Sequence, residues 1–150
     1  MKNIHSITLS VFIKPEEDFE KNKNIFLSFF PFSIEEQKIL ITEMIATSFE
    51  ERQIKILEVI LEKQKHTTLF LQSLLERLAP EQKQLLLRQR NSRVDDYCCF
   101  FIRFDKERLL ESNTLFITDS GHCFHLKIHL ACYPAKRENA FLILEELFKT

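Results

Sequence analysis

His125-Leu126-Lys127-Ile128-His129-Leu130-Ala131-Cys132-Tyr133-Pro134-Ala135-Lys136-Arg137-Glu138 is the stretch whose reading decides the fold of this chain. Leu126, Ile128, Leu130 and Cys132 fall on one side of an extended backbone. His125, Lys127, His129 and Ala131 fall on the other, which is the two-residue period of a strand with one buried face. Pro134 interrupts that pattern, and Ala135 to Phe148 then carries Phe141, Leu144 and Phe148 on one helical stripe. The stretch therefore reads as a half-buried strand leading into an amphipathic helix. Lys136 and Arg137 fall in the predicted first turn of that helix, where the macrodipole is already positive and cations are locally unfavourable. Free N–H groups with Lys and Arg beside them make an anion site; the competing reading is a solvated turn whose charge Glu138 offsets.

The same alternation recurs near the start, where Ile7, Leu9, Val11 and Ile13 oppose Ser6, Thr8, Ser10 and Lys14, with Phe12 the apolar exception on the outer face. Pro15 followed by Glu16, Glu17 and Asp18 marks a helix start, and Phe19, Lys23, Phe26 and Phe30 line one stripe before Pro31. Ser33-x-x-Glu36 has the form of a capping box, yet the β-branched stretches 39–47 and 54–61, with the polar insert Phe49-Glu50-Glu51-Arg52-Gln53 between them, favour a hairpin. Phe70, Leu71, Leu74, Leu75 and Leu78 are helical, and Ala79-Pro80-Glu81 restarts a second helix carrying Leu85 and Leu86. After the polar Asn91-Ser92 break, Tyr97 to Phe104 reads as a buried strand ending in the charged turn Asp105-Lys106-Glu107-Arg108. The only glycine, Gly121, falls between Leu115–Thr118 and Cys123–Cys132, where a hairpin turn is expected to need it.

The 150 residues fit one domain, and 45% apolar with 29% charged residues is the balance of a globular chain. Fifteen phenylalanines against two tyrosines and no tryptophan are mostly core bulk. A formal charge of −1 excludes a global positive field, so any nucleic-acid surface must be local. The segment Lys83 to Arg108 has such a bias, with seven Lys/Arg against four acids, a net of +3. Cys98, Cys99, Cys123 and Cys132 have no secretory leader pattern ahead of them, so free thiols and a cytoplasmic setting are expected. No apolar run is long enough to span a bilayer.

Catalytic templates fail one by one: there is no glycine-rich phosphate loop, no GxSxG elbow, no HExxH and no paired zinc-ligand cysteines. His122, Cys123, His125 and His129 form the one metal-like cluster, but on a strand His125 and His129 stand about 13 Å apart, too far to share a zinc. No metal and no cofactor are expected. The outward row His125, Lys127 and His129 can lie along a phosphate backbone or can simply be solvated.

Phe101-Ile102-Arg103-Phe104-Asp105-Lys106-Glu107, followed by Leu126-Lys127-Ile128-His129-Leu130-Ala131-Cys132-Tyr133-Pro134-Ala135-Lys136-Arg137-Glu138, resembles a pattern "LRLDKQ … VKVKLEAYPAKRE". His5-Ser6-Ile7-Thr8-Leu9-Ser10-Val11-Phe12-Ile13-Lys14-Pro15-Glu16-Glu17-Asp18 resembles the first strand and helix start of the same family. That family is the archaeal RNA-binding proteins described as predicted exosome subunits, with a fold similar to the large-subunit ribosomal protein that binds 5S rRNA. The resemblance implies an α+β fold with a curved, largely antiparallel sheet backed by helices, a hairpin over 39–61, and RNA binding without catalysis. The family's glycine-rich loop between the second and third strands is replaced here by Thr47-Ser48-Phe49-Glu50-Glu51-Arg52-Gln53. The expected phosphate contacts are Arg103, Lys106, Lys127, Lys136 and Arg137, with His125 and His129 assisting. The alternative is a protein-interaction subunit that docks onto an RNA-processing complex such as the exosome.

Overall fold

The computed structural model describes residues 3–47 and 50–149. At the centre lies β1 (Ile4–Ile13), which sends Ile7, Leu9, Val11 and Ile13 into the core and Ser6, Thr8 and Phe12 outward. It pairs antiparallel with β3 (Gln53–Leu61) on one side and β5 (Cys123–Leu130) on the other. β2 (Ile41–Thr47) joins β3, and β4 (Cys99–Asp105) joins β5, so five antiparallel strands run in the order β2-β3-β1-β5-β4. This is the expected α+β class, and the expected hairpin over 39–61 is present as β2 and β3. Of the 47–53 connection, Ser48 and Phe49 lie outside the described residues. Glu51 within it has φ of 59°, a left-handed turn position taken without glycine.

The helices cover one face of the sheet. α1 (Phe19–Ser28), α2 (Gln64–Arg77), α3 (Pro80–Arg88) and α6 (Arg137–Leu147) set Phe26, Phe70, Leu74, Leu86 and Leu144 into one core with the inward strand residues. Phenylalanines join the layers: Phe29 meets Phe104 and Phe124 at centroid distances of 5.7 and 5.6 Å, and Phe100 meets Phe148 at 5.8 Å. Burying each such side chain stabilises the fold by about 1.5–3 kcal/mol. Pro80 at the start of α3 separates it from α2, as the sequence predicts, because proline lacks the N–H that would continue the first helix.

Four details differ from expectation. The first helix begins at Phe19, not at Pro15, because the Asp18 carboxylate accepts from Lys21 N at 3.1 Å and caps it there. Residues 105–108 are not a turn but the start of α5 (Lys106–Ser112), with Asp105 capping Arg108 N at 3.1 Å. The polar Asn91-Ser92 stretch lies within a short helix, α4 (Arg90–Arg93). Finally, Leu115–Thr118 makes no hairpin with β5, since both sides of β5 are already occupied by β1 and β4.

The 115–118 segment instead lies on the outer edge of β4, where Ile117 forms an isolated bridge to Phe104 and Thr118 N donates to Arg103 O at 2.9 Å. Farther along that edge Asp95 N donates to Cys99 O at 3.1 Å, and Arg93 Nη1 donates to Phe101 O at 3.3 Å. The sheet's β4 edge is thereby sealed, while β2 at the opposite side has no neighbouring strand among the described residues. Gly121 has no positive φ and nothing within 4 Å of where a Cβ would stand, so its position does not need glycine.

Candidate nucleic-acid interface

The face of the sheet turned away from the helices is ordered by strand register. Thr42, Glu58, Ser10, His125 and Arg103 stand opposite one another in turn across all five strands. Ile60, Thr8, Lys127 and Phe101 form the adjoining row, and Ser6, His129 and Cys99 the next. The outward row of β5 predicted from the period of two is thus present, and β4 adds Arg103 and Phe101 beside it.

Arg103 is exposed and donates through Nη1 to the Asp119 carbonyl at 3.0 Å. His125 and His129 are half-buried, not freely exposed as the sequence suggests, because flanking side chains lean over them. The His125 ring packs on Phe101 with centroids 5.7 Å apart, and His129 lies 5.0 Å from His5. Burial, then the charges of Arg103 and Lys127, hold His125 below the usual imidazole range. Burial, His5 and Lys127 do the same for His129, opposed in part by Asp95 and a hydrogen bond with the Tyr97 backbone. Both imidazoles are therefore neutral at physiological pH, and the positive charge of the face comes from Arg103 and Lys127.

Arg93 braces the β4 edge beside that face. Its guanidinium is gripped by Gln89 Oε1 at 2.9 and 2.6 Å and lies 3.7 Å from the Asp119 carboxylate. Two hollows flank Arg103. One, of about 350 Å³, is lined by Gln89, Ser92, Arg93, Phe101, Arg103 and Asp119. The other, of about 440 Å³, is lined by residues that include Ser10, Glu58, Arg103 and His125. A surface of this kind presents fixed N–H donors to phosphate oxygens and a flat ring to an apolar ligand face. Phe101 and Arg93 were not singled out by sequence. The signal for Phe101 was present, since an arginine at 103 inside an apolar run fixes the outward parity and places Phe101 on the same face.

Lys106 requires correction as a phosphate contact. Its side chain is 2% exposed, and Nζ donates to Phe12 O at 2.7 Å and to the Glu17 carboxylate at 3.2 and 3.1 Å. It joins the end of β1 to the start of α5 and does not reach the open face. Burial alone pushes the Glu17 carboxyl upward, but hydrogen bonds from Lys14 N and Lys106, with the charges of Lys106 and His122, bring it below its ordinary value.

Arg137 is likewise engaged inside the fold. Its guanidinium donates to Val94 O at 3.3 Å, to Asn91 O, and to Asn91 Oδ1 at 3.0 Å, and it stands 5.3 Å from the Phe141 ring centroid. It fastens α6 to α4. Lys136 is exposed, but it occupies the N-cap position with extended φ and ψ of −124° and 147°, one residue before the helix and not in its first turn. Its carbonyl accepts from Cys98 Sγ at 3.5 Å, which holds it past the end of the β4–β5 pair. The four cysteines are free thiols, with Cys132 pushed up to about 12 by burial and by its hydrogen bond with Cys98. Among the described residues no group of three or more His, Cys, Asp or Glu side chains is placed to hold a metal.

The RNA-binding protein PAB1135 of Pyrococcus abyssi is 23% identical over 134 residues, covering 89% of this chain and 86% of its own. Among solved structures, AF2318 from Archaeglobus fulgidus superimposes with a TM-score of 0.84 at 28% identity, covering 96% of this chain and 99% of that one. SSO0741 from Sulfolobus solfataricus gives 0.74 at 25% identity, covering 94% and 98%. Mth689 from Methanothermobacter thermautotrophicus, at 23% identity and a TM-score of 0.79 over 99% of this chain and 100% of that one, shares the fold. A family described as RNA binding matches residues 6–130, which takes in β1 from Ser6 and the other four strands but neither Lys136 nor Arg137, and the chain belongs to that family.

Proposed function

We propose that this protein binds structured RNA without catalysing a reaction on it, reading phosphate backbone and shape through the open face of the sheet. The observation that carries this reading is the register that puts Arg103 opposite His125 and Lys127 opposite Phe101 on a face left uncovered by helices. Arg103 and Lys127 supply the charge, His125 and His129 donate or accept as neutral rings, and Lys136 extends the contact beyond the strand ends. His122, beside the face, is paired with Glu107 at 2.9 Å. Binding should weaken steeply with salt, since each phosphate contact adds roughly 0.7–0.9 to the logarithmic slope. The test is a salt titration of affinity for a structured RNA. Affinity that stays flat from low to physiological salt refutes the reading.

A second reading, docking onto an RNA-processing complex, is favoured by the β2 side of the sheet. Leu40, Met44 and Ile45 are exposed there, and the strand's outer edge is unpaired among the described residues. Such an edge is a template for a partner strand. Gel filtration with and without RNA separates the two readings: a tight oligomer or complex with no RNA affinity supports docking alone.

A further inference from the structure

Two phenylalanines of the sheet face outward, Phe12 near the end of β1 and Phe101 on β4, and Phe101 has Arg93 and Arg103 close by. Phe100, Phe104 and Phe124 face inward and are fully buried, whereas Phe101 is half-buried on the open face. Its ring neighbour there is the flat imidazole of His125, at 5.7 Å and an interplanar angle of 40°. Three cations surround the pair: Lys127 directly opposite Phe101, Arg103 two residues along β4, and Arg93, which donates to the Phe101 carbonyl at 3.3 Å. A ring beside a cleft of about 350 Å³, with polar groups of Gln89 and Ser92 on the wall, matches a ligand that carries a flat apolar face between regularly spaced anions. An unpaired nucleotide has that chemistry.

We propose that this cleft takes one unpaired RNA base, stacked on the Phe101 ring beside His125, with Arg103 and Lys127 facing the phosphates on either side of it. The inference rests on the RNA-binding reading above and narrows its target, since a blunt duplex keeps its bases stacked while a loop or bulge offers one to the sheet. The His125 ring, tilted 40° from that of Phe101, borders the stacking position. Glu58, farther along the row of His125, stands three strands away from β4, and the Asp119 carboxylate on the cleft wall is taken up by Arg93 at 3.7 Å.

The probes are a stem with an unpaired loop and a blunt duplex of the same stem, compared by fluorescence anisotropy on the full chain. Phe101→Leu should weaken binding to the looped RNA roughly tenfold, the order one base–aromatic stack supplies, and leave the duplex unchanged. Phe101→Tyr should restore the looped RNA. Arg103→Ala should weaken both. With 2-aminopurine at the loop position, wild type should quench its emission and Phe101→Leu should not. Thermal unfolding of each variant separates a lost contact from a lost fold. If Phe101→Leu weakens both RNAs alike, or leaves both unchanged while Arg103→Ala still weakens them, base stacking is wrong and backbone binding stands. If wild type binds neither RNA, the RNA-binding reading fails and this inference falls with it.

Discussion

Lys106→Met tests the sharpest departure from the sequence reading. The lysine side chain is 2% exposed and its Glu17 partner 13%, and Nζ also holds Phe12 O at 2.7 Å. Removing one member of a buried pair costs about 3–5 kcal/mol, because the other is left charged without a partner. Glu17 keeps its hydrogen bond from Lys14 N at 3.0 Å and some contact with water, so the loss falls near the lower bound, about 3 kcal/mol. At roughly 2–4 °C per kcal/mol for a chain of this size, Tm drops by about 6–12 °C in thermal unfolding. Adding Glu17→Gln removes the orphaned charge and should recover part of the loss. The sign of the pH dependence follows from Glu17. Its folded pKa is depressed, so its contribution is full above the ordinary carboxylate value near ~4.3 and is lost as pH falls through the lower folded value. The gap between wild type and Lys106→Met should therefore narrow in acid. RNA affinity, measured where the variant is folded, should be unchanged. A Tm shift no larger than that of Lys21→Met, a lysine on the solvent side of α1, refutes the structural role of Lys106, and a lower salt slope in the folded variant refutes its exclusion from the RNA surface.

Lys127→Ala should weaken RNA binding and lower the salt slope by roughly 0.7–0.9, read from affinity at several ionic strengths. Arg137→Ala should cost about 1–3 kcal/mol of stability by leaving the Val94 and Asn91 carbonyls unpaired, with little change in RNA affinity once folded; denaturant unfolding beside an anisotropy titration checks both. Asp105→Ala should cost about 1 kcal/mol through the lost cap of α5, visible as a lower denaturation midpoint. For His125 and His129 the folded pKa is lowered, so the unfolded chain takes up protons first as pH falls below about 6.5 and stability declines from there until the folded values are passed. An NMR titration should find both rings neutral at pH 7, and RNA affinity should not rise between pH 8 and pH 7.

Elements with a clean period were legible in sequence. β1 and β5 alternate without ambiguity, and the strands bury the faces their patterns assign. The parts that were not legible depend on contacts far along the chain. Nothing local distinguishes Lys106 from a solvated lysine in a charged turn, because its partners Phe12 and Glu17 lie 94 and 89 residues away. Arg137 reads as a free cation until α4, 43 to 46 residues earlier, places backbone carbonyls against it. Segment 115–118 alternates well enough for a strand, but which neighbour it takes depends on the sides of β5 being filled already. Phe101 was obscured by the apolar run around it, which suggests burial on both faces where only one is covered.

The sealed outer edge of β4 limits how copies of this molecule can join. Asp95, Arg93 and Thr118 occupy the carbonyls of Cys99, Phe101 and Arg103, so no foreign strand can add there. Head-to-tail growth of a ribbon needs two open edges, and this sheet has one among the described residues. Edge-to-edge association is therefore confined to a two-fold pair meeting along β2, at which point polymerisation stops. In such a pair the cationic ends of both sheets point away from the dyad, so each copy keeps its ligand surface at an outer extremity.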